Sequence, residues 1–160
     1  MARRAGSCDN VDVEALVAVL LAWIHATAGY DVPQTPPRID FVQPRLIADI
    51  MCDSRPKCPV LAMYLHGDTI FLDDRLDVHG NDYHASILLH ELVHYVQQQS
   101  GRFTESDCGD WVKEEQEAFR IQAAWLRERA ISLPQRHQIP RWEHLCAGRL
   151  PPGAAPPLPK

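Results

Sequence analysis

Apolar residues recur three and four apart at Val13, Leu16, Val17, Leu20, Leu21 and Ile24. That spacing follows the turn of an α-helix and predicts a first helix, running to about Ala28, with one buried stripe. Pro33, Pro36 and Pro37 then break the chain into an extended connector. Arg38 to Gln43 alternates like a short strand, and Pro44 suits the first turn of a short helix ending near Met51. Val60 to His66, the turn at Gly67-Asp68 and Thr69 to Leu72 read as a β-hairpin. Asp73 to Asn81 is acidic and loop-like. Asp82 is placed to cap a long helix ending near Ser100, with Gly101 just beyond it. After a loop from Arg102 to Gly109, a second long helix is expected from about Asp110 to Ile131, stopped by Ser132-Leu133-Pro134. The order of one helix, a small sheet and two long helices predicts an α+β fold. The expected organisation is a flexible N-terminus over 1–10, one domain over 11–150 and a Pro-rich disordered tail over 151–160.

The chain has 160 residues, of which 46% are hydrophobic and 23% charged. This is a globular composition with room for one domain. A formal charge of −5 and the lack of a Lys/Arg cluster argue against a nucleic-acid partner. The stretch Ala15 to Ala28 imitates a secretory signal, with Arg3 and Arg4 upstream. Asp9, Asp12 and Glu14 put negative charge where a signal needs positive, so it reads as a core helix; it is also too short to span a bilayer. The five cysteines contain no CxxC pair, which excludes a zinc ribbon or a thioredoxin-like motif. Cys52 and Cys58 flank a short loop suited to closure by a disulfide.

The chemistry is concentrated in His90-Glu91-Leu92-Val93-His94. Two histidines four apart on a helix project from one face, so their imidazoles can occupy two corners of a zinc tetrahedron. Glu91 lies beside them as a general base for an attacking water. At this composition an accidental HExxH is expected about 0.02 times per chain. A catalytic zinc site needs a third protein ligand. Gln97 and Ser100 stand where a metzincin would place Gly and His, which excludes that class. The following helix instead offers Glu114, Glu115 and Glu117. Trp111, Ala118, Gln122 and Trp125 mark its inward stripe, and Glu115 lies on that stripe. Glu114 flanks it, and Glu117 points largely away as a solvated charge. Glu115 is the expected ligand, with Glu114 and Glu117 as alternatives.

The segments SILLHELVHYVQ (86–97) and EQEAFRIQAAWL (115–126) resemble the gluzincin metallopeptidases. They are most similar to a small bacterial group with HELVHxxQ and ExEA[YF]RxQ motifs, over about residues 12 to 131. The resemblance implies a minimal zincin-like fold and one Zn2+ per chain on His90, His94 and Glu115. It also implies zinc-dependent hydrolysis of a peptide or protein substrate, with Glu91 as the catalytic base. Phe119 departs from the commoner Glu-x-x-Ala-Asp form, so a hydrogen bond to the ligands from that position is missing or supplied elsewhere. Members of the group are often exported, and a periplasmic or secreted location agrees with the cysteine loop, although this chain carries no convincing signal peptide. Candidate oxyanion donors by chemistry are Tyr83, His84, Tyr95, Arg120, His137 and His144. Either hairpin strand offers an edge for an extended peptide, and Asp73, Asp74 and Asp77 read as a solvated loop rather than a selector of basic substrates. The competing readings are a catalytically silent, zincin-shaped metal-binding sensor or scaffold, and a disulfide-stabilised binding module.

Overall fold

A computed structural model describes residues 8–54, 57–103 and 108–132, with backbone only at 8–11 and 108. The fold is α+β. Helix α1 (Cys8–Ala28) precedes strand β1 (Arg38–Val42), helix α2 (Pro44–Met51), strands β2 (Ala62–Tyr64) and β3 (Thr69–Asp73), and helices α3 (Asp82–Ser100) and α4 (Cys108–Glu128). The tail at 151–160 lies outside the described residues. Helix α1 begins at Cys8, within the segment expected to be a flexible N-terminus.

The stripe read in the first helix is the buried one: Val13, Val17, Leu20, Leu21 and Ile24 all enter the core, while Val19 faces outward. Helix α3 is the centre of the molecule, packing most extensively on α4 and also on β2, α1 and β3. Leu88, Leu89, Leu92 and Val93 are fully buried, as a helix covered on several sides requires. Ala118, Ile121, Trp125 and Leu126 complete the core from α4.

The hairpin forms as expected, with β2 antiparallel to β3 and Met63 opposite Phe71. A third partner is added: β1 runs parallel to β3, with Ile39 opposite Ile70, giving the order β1-β3-β2. Thr69 to Leu72 is therefore the middle strand, both of its edges are bonded, and it offers no edge to a peptide. Only β2, of the two hairpin strands, lies at the border of the sheet. Cys52 and Cys58 form a disulfide that closes the loop between α2 and β2.

Helix ends differ from expectation in instructive ways. Asn81, not Asp82, caps α3: its side chain accepts from the backbone N–H groups of Tyr83 and His84. Gly101 closes the helix in the left-handed conformation at φ 61°. Helix α4 ends at Glu128, before the proline stop, because Ala130 takes a left-handed φ of 55°. The N–H of Ile131 reaches the carbonyl of Leu126 and that of Ala130 the carbonyl of Arg127, a Schellman closure. Among the described residues no helix is long and apolar enough to cross a membrane.

Candidate metal centre

Helix α3 carries His90 and His94 one turn apart on the side that meets α4. Glu115 comes from the second turn of α4, and Ala118, one turn further along, is a fully buried small residue that lets the helices approach. The three side chains converge. His90 Nε2 and His94 Nε2 lie 3.1 Å apart. Glu115 Oε2 is 3.4 Å from His90 Nε2, and its Oε1 is 3.3 Å from His94 Nε2. Tetrahedral zinc with bonds of about 2.0–2.1 Å sets its ligand atoms about 3.3 Å apart. The donor set, two imidazoles and one carboxylate, therefore has the chemistry and spacing of three corners of such a site, and it is the one group of this kind among the described residues.

Charge concentrates here. Burial opposes charge on His94, but Glu115 and Glu91 outweigh it and lift the imidazole to about 9. Burial likewise works against the Glu115 carboxylate, yet the imidazoles of His94 and His90 hold it far below the usual range. Both shifts describe the Glu115 carboxylate and the His94 imidazole held together as a buried ion pair. Burial pushes Glu91 upward; His90 and His94 pull it back in part, and the backbone N–H of Tyr64 donates to its carboxylate. Glu91 thus sits between the cluster and β2.

Each imidazole is also held from behind. His90 Nδ1 lies 3.2 Å from Gln122 Oε1, and the Gln122 amide nitrogen donates to Ser86 Oγ at 3.0 Å. His94 Nδ1 lies 2.9 Å from Gln97 Oε1. The Gln97 amide nitrogen donates to the Glu114 carbonyl and to Glu117 Oε2, each at 3.0 Å. Two glutamines thus stand behind the two imidazoles. Phe119 instead sets its ring edgewise on His90, with centroids 4.5 Å apart. In the sequence Gln97 counts against the metzincin pattern and Gln122 as a position on the inward stripe, and neither is a candidate site residue there. Their position one turn beyond a ligand, or one turn beyond Ala118 on the inward stripe, was the available signal.

Glu117 is not a solvated charge. Its side chain is 15% exposed and accepts from Arg102 Nη1 at 3.0 Å, from Gln97 and from the Tyr30 hydroxyl. Burial, then Glu117 itself, pushes the Tyr30 hydroxyl well above its ordinary value, so it stays a donor. Glu114 contributes its backbone carbonyl to this shell and is not among the grouped donor atoms.

The remaining candidates separate by position. Tyr95 donates its hydroxyl to the Thr35 carbonyl at 2.8 Å, and His84 Nδ1 accepts from the backbone N–H of Asp77. Arg120 is paired with Glu117 at 3.6 Å, and Tyr83 is half-buried beside His84. His137 and His144 lie outside the described residues. The acidic stretch is only partly a solvated loop: Asp73 is 1% exposed and gathers the backbone N–H and guanidinium of Arg75, while Asp77 accepts from the N–H of Gly80.

Fold and site together define an α+β protein whose two long helices assemble a His-His-Glu cluster able to hold a metal ion. The chain belongs to the family described as a domain of unknown function, DUF6647, whose model matches residues 9–149. No curated protein and no solved structure matches it.

Proposed function

We propose that this protein is a zinc-dependent hydrolase, a peptidase, that binds one Zn2+ through His90, His94 and Glu115. The observation that carries the reading is the convergence of those donors at 3.1–3.4 Å, with Glu91 directly beside them. Zinc bound there supplies Lewis acidity toward a water and a scissile carbonyl. Glu91 then accepts the proton of the attacking water and passes it to the leaving amine, a role suited to a carboxyl whose affinity for protons is raised by burial. The Tyr64 N–H fixes the orientation of that carboxyl. Strand β2, at the border of the sheet, stands beside Glu91, with Ala62 and Met63 buried and the Tyr64 N–H committed to the Glu91 carboxylate. The Cys52–Cys58 disulfide supports an oxidising compartment, periplasmic or secreted.

Glu91→Gln separates binding from chemistry. The variant is expected to keep its zinc and to lose hydrolysis of a peptide library by about 10²–10⁴-fold, the usual contribution of a general base. Cleavage at the wild-type rate with zinc bound contradicts the role of Glu91. A zinc-loaded wild type that cuts no peptide in the library leaves a metal-binding scaffold instead.

A further inference from the structure

The hydrogen bonds behind the two histidines have a polarity that can be followed to its ends. A carbonyl and a carboxylate only accept. Gln97 turns its amide toward the Glu114 carbonyl and the Glu117 carboxylate, each 3.0 Å away, so the atom facing them must be the nitrogen. The reversed amide sets an oxygen against two acceptors and a nitrogen against His94. With the oxygen facing His94 Nδ1 at 2.9 Å, that ring nitrogen must carry the proton. The second chain gives the same answer independently. Ser86 spends its one proton on the Tyr83 carbonyl at 2.7 Å, so toward Gln122 it accepts. The Gln122 nitrogen faces Ser86, its oxygen faces His90 Nδ1 at 3.2 Å, and that nitrogen too must be protonated. Both Nε2 atoms are left facing each other and Glu115.

We propose that Gln97 and Gln122 are positioning residues that hold His94 and His90 as Nδ1–H tautomers with Nε2 turned to the metal, and that Glu117 positions Gln97. This rests on the metal-binding reading above. The two arms are unequal. Gln122 ends on a neutral hydroxyl. Gln97 ends on a carboxylate that is fixed by Arg102 and by Tyr30, so residues of the α1–β1 connection and the α3–α4 loop reach the ligand His94 through one amide. Glu117 touches no ligand of the proposed site and acts only through Gln97. Neutral amides in place of carboxylates donate less charge to the ligands, so the bound ion keeps more of its Lewis acidity.

The test is zinc affinity by chelator competition, with circular dichroism and melting of the metal-free proteins as the check on folding. Gln97→Met and Gln122→Met are each expected to weaken zinc binding about 10–100-fold. Glu117→Leu weakens it about tenfold, and Glu117→Gln recovers most of that loss, because an amide oxygen still accepts from Gln97. The Gln97→Met/Glu117→Leu double variant binds no more weakly than Gln97→Met alone, since the second change acts through a partner already removed. Unchanged affinity in folded glutamine variants, or fully additive losses in the double variant, overturns the inference while leaving the metal site standing. The zinc-loaded wild type supplies a measurement that needs no variant: its imidazole ¹H–¹⁵N correlation spectrum should show protonated Nδ1 and coordinated Nε2 at both His90 and His94. Coordination through Nδ1 at either residue refutes it. A wild type that takes up no zinc refutes the metal reading and this inference with it.

Discussion

The grouping of His90 with His94 was legible because it is carried by spacing along one helix, and that of Glu115 with them because the helical phase of α4 can be counted from its own apolar stripe. Glu117 was misread for a related reason. Phase places it away from Glu115, but a buried partner on that flank comes from Tyr30 and Arg102, which are remote in sequence and enter only by tertiary packing. The same applies to the glutamines, whose polar side chains on an inward stripe carry no meaning until the histidines opposite them are in place. The close approach of α3 and α4 is a residue-scale matter as well. Ala118 is fully buried in the core, one turn beyond Glu115 on α4. Ala118→Leu is expected to destabilise the protein by about 1–3 kcal/mol through overpacking, measured as a lower urea midpoint. A midpoint unchanged from the wild type means that the helices have room that the packing described here denies them.

At the scale of elements, the sequence located the helices and strands well because each has a local signal, and located their ends less well because an end is settled by a few specific bonds. Asn81 and Asp82 are both reasonable caps by type; only the backbone shows that the first N–H groups of α3 point at Asn81. Asn81→Ala should therefore cost about 1 kcal/mol of stability by denaturant titration, and Asp82→Ala less, about half of that, from the helix dipole and its half-exposed pairing with Arg129 at 3.5 Å. The reverse ranking contradicts the cap. The parallel pairing of β1 with β3 had no local signal at all, since alternation predicts a strand and says nothing of its neighbour. That pairing makes β3 central and draws Asp73 into the interior, where Arg75 answers its charge. The hydrogen bonds from Arg75 hold the Asp73 carboxyl below its ordinary 3.8 against the opposing effect of burial. A carboxyl depressed in the folded state stabilises above its unfolded value and loses that contribution as pH falls through the folded one. Asp73→Asn is thus expected to cost about 1 kcal/mol near neutral pH, discounted for the exposure of Arg75. The gap in melting temperature should close below pH 3.8. A gap that persists undiminished into acid assigns the loss to shape rather than charge.

For the whole molecule, the architecture is economical in one respect: α3 is at once the central core element and the carrier of His90, Glu91 and His94. Its apolar positions anchor it against α1, the sheet and α4, and the same packing brings Glu115 across from α4 and places β2 beside Glu91. The site is therefore built on rigid elements rather than loops, as a metal centre with defined ligand spacing requires. Measuring metal content in untagged wild type, His94→Ala and Glu115→Ala by plasma mass spectrometry tests this most directly. About one zinc per chain in the wild type, lost in both variants, is the predicted result. Zinc retained in Glu115→Ala but lost in His94→Ala contradicts the assignment of the third ligand, and no zinc in the wild type after reconstitution contradicts the metal centre itself.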